Sequence, residues 1–148
     1  MKLTSPAFAN NGNIPSEYTC DGSGLSPQLD IGEIPSNAKS LVLICDDPDA
    51  PMGTWDHWVV FNIYPSAKEI HKGTEPKGAG GKNSWNKTGY GGPCPPSGTH
   101  RYFFKLYALD IMLNLPAGSG KKQVETAMQG HILEKIELVG LYKRIKKE

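Results

Sequence analysis

Apolar residues fall mainly in short runs of strand length. Residues 40–45 form a continuous, β-branched apolar run, which predicts a strand buried on both faces. Residues 57–64 follow closely and predict its hairpin partner, and residues 103–109 predict a third strand. Weaker alternation predicts shorter strands at residues 2–9, at 26–31 on a sheet edge, and at 134–144.

One segment has helical periodicity. Val124, Ala127 and Met128 recur at helical spacing, which predicts an amphipathic helix from about Lys121 with Ser119 as its N-cap. The strands do not alternate with helices, so a parallel sheet is not indicated. We therefore predict a mainly β fold: a two-sheet antiparallel β-sandwich with Greek-key connections and one short helix near the C-terminus, with residues 1–148 as a single domain.

Composition narrows the class of protein. A net charge of +1 with 21% charged residues argues against nucleic acid as a partner. No apolar run approaches the ~20 residues of a membrane span, and the N-terminus has no signal-like apolar region, so we expect a cytoplasmic protein without a membrane span. The chain has an odd number of cysteines without CxxC spacing, namely Cys20, Cys45 and Cys94. This predicts free thiols in a reducing compartment.

Residues 88–102 contain four glycines and three prolines and end on His100, Arg101 and Tyr102. Such a loop is shaped by its φ restrictions, and it delivers polar side chains to the start of a strand. Two interpretations stay open at this point: a stiff surface turn, or one wall of a small-molecule site. The closely spaced prolines also predict one cis bond, at Pro51 or Pro95.

Three motifs together resemble a known family. They are DPDAP beginning at Asp47, WDHW beginning at Trp55, and GPCPPSGTHRY beginning at Gly92. This chain is similar to the phosphatidylethanolamine-binding proteins, also called Raf kinase inhibitor proteins, and in particular to their bacterial and archaeal branch. The third motif is shorter between Gly98 and His100 than in the animal proteins, and the C-terminal helix that partly covers the pocket there has no counterpart, so the lid cannot be transferred.

The resemblance implies a pocket for a small anion: phosphate, carboxylate or a phospholipid headgroup. It also implies a protein kinase as a partner class. We expect a binding or regulatory protein without catalytic residues, metal or cofactor, because no nucleophile elbow or oxyanion element is visible in the sequence. The sequence does not decide between a monomer and a homodimer. Matched position by position, the ligand-binding residues are Asp47, Trp55, His57, Gly92, Pro95, His100 and Tyr102.

The side-chain chemistry agrees with an anion site. Two imidazoles can bind anionic oxygens through ring N–H groups, while Asp47 fixes a tautomer or supports a positive ring. Binding should then strengthen as a ring is protonated near its unperturbed pKa of about 6.5, with Asp47 favouring the upper part of that range. Arg101 should lie on the opposite strand face and pair with Asp49 or a neighbouring carboxylate.

Two alternatives use the same residues. His57, His100 and Asp47 match a 2-His-1-carboxylate metal site. A hydrolytic enzyme is the other alternative, with Cys94 and His100 as nucleophile and base, or with the two histidines as general acid and base.

Overall fold

A computed structural model describes residues 1–145. The strands are β1 Lys2–Thr4, β2 Gly12–Asn13, β3 Leu29–Gly32, β4 Ser40–Asp47, β5 Trp55–Ile63, β6 Glu69–Ile70, β7 Ala79–Gly80, β8 His100–Leu109 and β9 Ile132–Tyr142. A single α-helix in the described part, α1, spans Lys121–Met128, and a 3-10 turn spans Ser16–Tyr18.

The strands form two sheets. The larger has the order β2-β9-β8-β4-β5-β7, and the smaller has the order β1-β3-β6. The mainly β, two-sheet prediction is confirmed. All pairs are antiparallel except β2 with β9, which is parallel. The expected edge strand at 26–31 is instead β3, the centre of the small sheet, because β1 and β6 pair with its two sides.

The large sheet is the middle layer of three. One of its faces packs against the small sheet, where Leu43 and Phe104 share an apolar cluster with Leu29. Its other face packs against α1, where Ile44 and Val124 share a second apolar cluster. Every residue of β4 is buried, as the continuous apolar run predicts, because β4 lies between these two layers.

Helix α1 begins where predicted, but Ser119 is not its cap. Gly120 occupies the N-cap position, and its N–H donates to Gln123 Oε1 at 2.9 Å. The Ser119 hydroxyl turns back and donates to the carbonyl of Pro116. Val124 and Met128, one helical turn apart, face the sheet.

No peptide bond in residues 1–145 is cis, so the predicted cis bond at Pro51 or Pro95 is wrong. The two proline-rich loops turn instead at glycines with positive φ, Gly53 at 105° and Gly98 at 70°. Within the described residues, no helix is long and apolar enough to cross a membrane.

Candidate functional site

A cavity of about 260 Å³ opens at one end of the large sheet. It lies where β4 ends and where β5 and β8 begin, on the sheet face that packs against the small sheet. The pairing of Asp47 with Trp55 brings the DPDAP motif next to the WDHW motif. The lining residues are Asp47, Ala50, Pro51, Met52, Trp55, His57, Trp85, Cys94, Pro95, Pro96, His100 and Tyr102.

Six of the seven candidate ligand-binding residues line this cavity, and Gly92 does not. Gly92 instead lies against the turn at Tyr18 and Thr19. A Cβ at position 92 would stand 2.9 Å from the Tyr18 carbonyl oxygen and 3.0 Å from Thr19 Cα. The absence of a side chain therefore lets the loop approach this turn, and Gly92 shapes the site from outside.

His100 is held by Asp47. His100 Nδ1 lies 2.7 Å from Asp47 Oδ2, and both side chains are buried, with residue exposures of 6% and 3%. Because a carboxylate accepts hydrogen bonds, Nδ1 carries the hydrogen and Nε2 is the ring nitrogen left for a ligand. The second carboxylate oxygen of Asp47 accepts from the backbone N–H of Asp49 at 2.8 Å, which fixes the carboxylate in turn.

His57 is held by the glycine-rich loop. Its Nδ1 donates to the Gly91 carbonyl at 2.7 Å, and Gly91 N–H donates to the His57 carbonyl at 2.9 Å. Burial lowers the pKa of His57 below its ordinary value of 6.5, and the hydrogen bond to Gly91 and the charge of Asp47 only partly oppose this. His57 is therefore not the ring that Asp47 would help to protonate, and the expected pH dependence of binding stays a prediction.

The Tyr102 hydroxyl is buried without a hydrogen-bond partner among the described residues. Burial, together with the negative charge of Asp47, raises the pKa of Tyr102 far above its ordinary value, so the phenol stays protonated. Its ring meets the His57 ring edge-on, with centroids 5.2 Å apart. A buried hydroxyl of this kind is costly unless a ligand or a water accepts from it.

Trp85 is a wall of the cavity that the sequence analysis did not identify. Its ring centroid lies 5.5 Å from that of Trp55 and 5.1 Å from that of His57, both edge-on. The Asn83 side chain fixes the backbone at this position, because its Oδ1 accepts from the backbone N–H of Trp85 at 2.9 Å. A Cβ at Gly91 would overlap the Trp85 ring, so glycine at 91 is required for this packing. The available signal was a tryptophan within an otherwise polar, glycine-rich connection.

Cys20 and Cys94 form a disulfide, with Cα atoms 5.4 Å apart, so the prediction of three free thiols is wrong. The backbone brings the two cysteines together, because Cys20 N–H donates to the Pro93 carbonyl at 3.1 Å. Cys45 remains as a buried thiol. The disulfide leaves Cys94 without a thiolate, which removes the proposed Cys94 nucleophile of the enzyme alternative.

Arg101 points to the other face of β8 and pairs with Asp49, as predicted. Its Nε and one terminal nitrogen lie 2.9 and 2.8 Å from the two carboxylate oxygens. This contact lowers the pKa of Asp49 to about 2. Arg101 is therefore committed to a surface ion pair outside the cavity.

The metal alternative has little geometric support. Within residues 1–145 no group of three or more His, Cys, Asp or Glu side chains is arranged to hold a metal ion. Asp47 uses its oxygens on His100 Nδ1 and on the Asp49 N–H, so it supports a histidine instead of joining the histidines as a ligand.

Comparisons with known proteins place these features in a wider group. A family model described as phosphatidylethanolamine-binding protein matches residues 4–143. A UPF0098 protein of Methanothermobacter thermautotrophicus is 51% identical over 150 residues, which cover 97% of this chain and 99% of that protein. A UPF0098 protein of Chlamydia muridarum is 44% identical, with coverages of 97% and 99%.

Two solved structures have the same fold. A candidate phosphatidylethanolamine-binding protein homologue from Chlamydia trachomatis superposes with a TM-score of 0.94 at 42% identity, covering 97% of each chain. E. coli YbcL, described as a new member of the mammalian PEBP family, superposes with a TM-score of 0.89 at 26% identity, covering 97% of this chain and 98% of the other.

Proposed function

Because the chain belongs to the phosphatidylethanolamine-binding protein family, we propose that it is a binding protein whose cavity holds a small anionic group, either a phosphate, a carboxylate or a phospholipid headgroup. The proposed contacts are His57, His100 and Tyr102, with Asp47 orienting His100. Trp55 and Pro95 supply apolar walls for the organic part of the ligand.

The observation that carries this proposal is a set of polar groups left without partners in one small cavity. Tyr102 has a buried hydroxyl with no partner in the described residues. His57 and His100 each have Nδ1 fixed by the protein, so that Nε2 remains for a ligand. Groups held in this way are pre-organised for a ligand, because little ordering has to accompany binding.

Titration calorimetry with inorganic phosphate, acetate and glycerophosphoethanolamine tests the proposal. His100→Ala should weaken binding by about 1.5–3 kcal/mol, the range for hydrogen bonds to charged groups. His131→Ala is the matched control, because His131 pairs with Asp110 outside the cavity. Unfolding curves should accompany each variant, because His100→Ala also leaves a buried carboxylate with one partner fewer. No heat with any of the three compounds, or equal loss in both variants, would reject the cavity as the site.

Modulation of a protein kinase is the finer proposal that family membership adds. The supporting feature is Met52, which lies at the cavity mouth and is 94% exposed. The flexible side chain of an exposed methionine can adapt to a partner surface. Met52→Gln, which adds no charge beside the cavity, should then abolish any effect of the protein on protein kinases of the same organism while leaving binding of small anions intact.

The cytoplasmic location also stays a proposal, and the disulfide makes it testable. Disulfides are rare in intracellular proteins outside hyperthermophiles. A cytoplasmic location and an intact Cys20–Cys94 bond must therefore be tested together. Cell fractionation should find the protein in the cytoplasmic fraction. When the protein is alkylated rapidly under denaturing conditions, only Cys45 should be labelled, because Cys20 and Cys94 are joined by the disulfide. Light scattering of the pure protein decides between the monomer and the homodimer.

A further inference from the structure

The cavity contains a negative charge and no permanent positive charge. Among the described residues that line it there is no lysine or arginine, while Asp47 contributes a carboxylate. Even with His100 protonated, the Asp47–His100 pair sums to zero. Arg101 is bound to Asp49 on the other sheet face, and Lys105 and Lys121 are bound there to Asp46, so these cations do not compensate an anion in the cavity.

The hydrogens on the ring nitrogens add a second constraint. His57 Nδ1 must carry a hydrogen, because the Gly91 carbonyl can only accept. In the neutral ring, Nε2 of His57 is therefore an acceptor, and burial favours the neutral ring. An anion without a hydrogen of its own would place a lone pair against this lone pair. A ligand with an O–H group would instead donate to His57 Nε2.

Tyr102 offers the opposite polarity. Its hydroxyl is a donor with no partner in the described residues. His100 has its Nδ1 bound to Asp47, so its ring also turns Nε2 to the ligand. The cavity therefore places a donor beside the acceptor of His57, which matches a group that carries both a hydroxyl and an unprotonated oxygen.

We propose that the cavity selects the singly charged, protonated form of a phosphate monoester over the doubly charged form. The ligand hydroxyl donates to His57 Nε2, and an unprotonated oxygen of the ligand accepts from Tyr102. Asp47 is the specificity-determining residue, because its carboxylate repels a second negative charge on the ligand. This inference rests on the proposed function, since it concerns the same cavity.

Methyl phosphate and methyl sulfate form a matched pair of probes for this inference. They have nearly the same shape, but methyl sulfate keeps one negative charge and no hydroxyl throughout, whereas methyl phosphate loses its second proton near pH 6. Their affinities should be measured by titration calorimetry between pH 5.5 and 8. The ratio of the two affinities at each pH cancels those changes in the protein that affect both ions equally.

At pH 8, methyl phosphate should bind at least about tenfold more weakly than methyl sulfate, because one extra charge faces Asp47 at short range. As the pH falls through about 6, the ratio should rise and then favour methyl phosphate, whose hydroxyl then meets His57. Equal binding at pH 8, or a ratio that does not change with pH, would overturn the inference. If neither ion binds at any pH, the proposed function fails as well.

Asp47→Asn should reduce the preference for methyl sulfate over methyl phosphate at pH 8, because the carboxylate that repels the second charge is gone. Asp49→Asn is the matched control: it removes a nearby carboxylate that pairs with Arg101 outside the cavity, and the ratio should stay as in the wild type. A ratio that Asp49→Asn changes as much as Asp47→Asn does would overturn the role of Asp47. The ratio in the wild type decides the charge preference even if Asp47→Asn does not fold.

Discussion

Removing the Cys20–Cys94 disulfide should lower the free energy of unfolding by about 4 kcal/mol. The bond joins cysteines 74 residues apart. In the chain-entropy treatment, a loop of that length removes about 15 cal/mol/K from the unfolded chain, which is about 4.4 kcal/mol at 25 °C. The native contacts around the bond remain, since the Cys20 N–H to Pro93 hydrogen bond and the Tyr90 hydroxyl to Tyr18 carbonyl bond do not involve sulfur.

The assay is guanidinium unfolding of the oxidised protein, the dithiothreitol-reduced protein and the double variant Cys20→Ser, Cys94→Ser. The reduced wild type and the double variant should have similar midpoints, both below that of the oxidised protein. Dithiothreitol should not change the midpoint of the double variant, which controls for effects of the reductant on Cys45. A loss below about 1 kcal/mol would refute the loop-entropy argument, and full unfolding of the double variant at 25 °C would show that the bond holds the native fold itself.

Three further changes test separate features of the site. Tyr102→Phe should leave stability unchanged or slightly raise it, because it removes a buried hydroxyl without a partner in the described residues, and calorimetry should show phosphate binding weakened by about 1–3 kcal/mol. His57 should make the protein less stable in acid. Because its pKa is lowered in the folded protein, the unfolded chain binds more protons below about pH 6.5, so the free energy of unfolding falls from there down to the pKa of the folded state. The free energy of unfolding should therefore differ less between pH 7.5 and pH 5.5 in His57→Gln than in the wild type. An equal difference in the two proteins would assign the pH effect to other groups. Gly91→Ala should displace Trp85, seen as a change in tryptophan fluorescence together with weaker phosphate binding, and unchanged fluorescence would contradict the packing described.

The long strands and most of the cavity could be predicted from the sequence. Strand β4 is continuous and apolar because both of its faces are buried, and this leaves a direct signal in the chain. Strand β7 has only two residues, Ala79 and Gly80, and exists because β5 offers it an edge, so no local pattern indicates it. Motifs identified Asp47, Trp55, His57, Pro95, His100 and Tyr102 as a group, and these six line one cavity.

The remaining features depend on distances that a linear pattern does not contain. The disulfide requires the turn near Cys20 to meet the loop near Pro93, and nothing in the spacing of the cysteines indicates this meeting. Trp85 enters the wall because Gly91 leaves room for its ring, which becomes apparent only when both loops are placed. The motif predicts Gly92 as a pocket residue because its neighbours in the motif line the pocket. In the structure, the backbone of Gly92 instead packs against the turn at Tyr18.

The cavity is assembled from parts of the chain that are far apart in sequence, and this bears on when it forms during synthesis. His100 and Asp47 are 53 residues apart, and His57 and Gly91 are 34 apart. Strand β8 also needs β9, which ends at Tyr142, as a partner along its whole length. A chain still emerging from the ribosome therefore cannot hold the histidines in place until β9 has been made, and contacts of such long range fold slowly. If the cavity binds anions as proposed, binding by the nascent protein would begin only once β9 has paired with β8, and a truncation before β9 should have no binding activity.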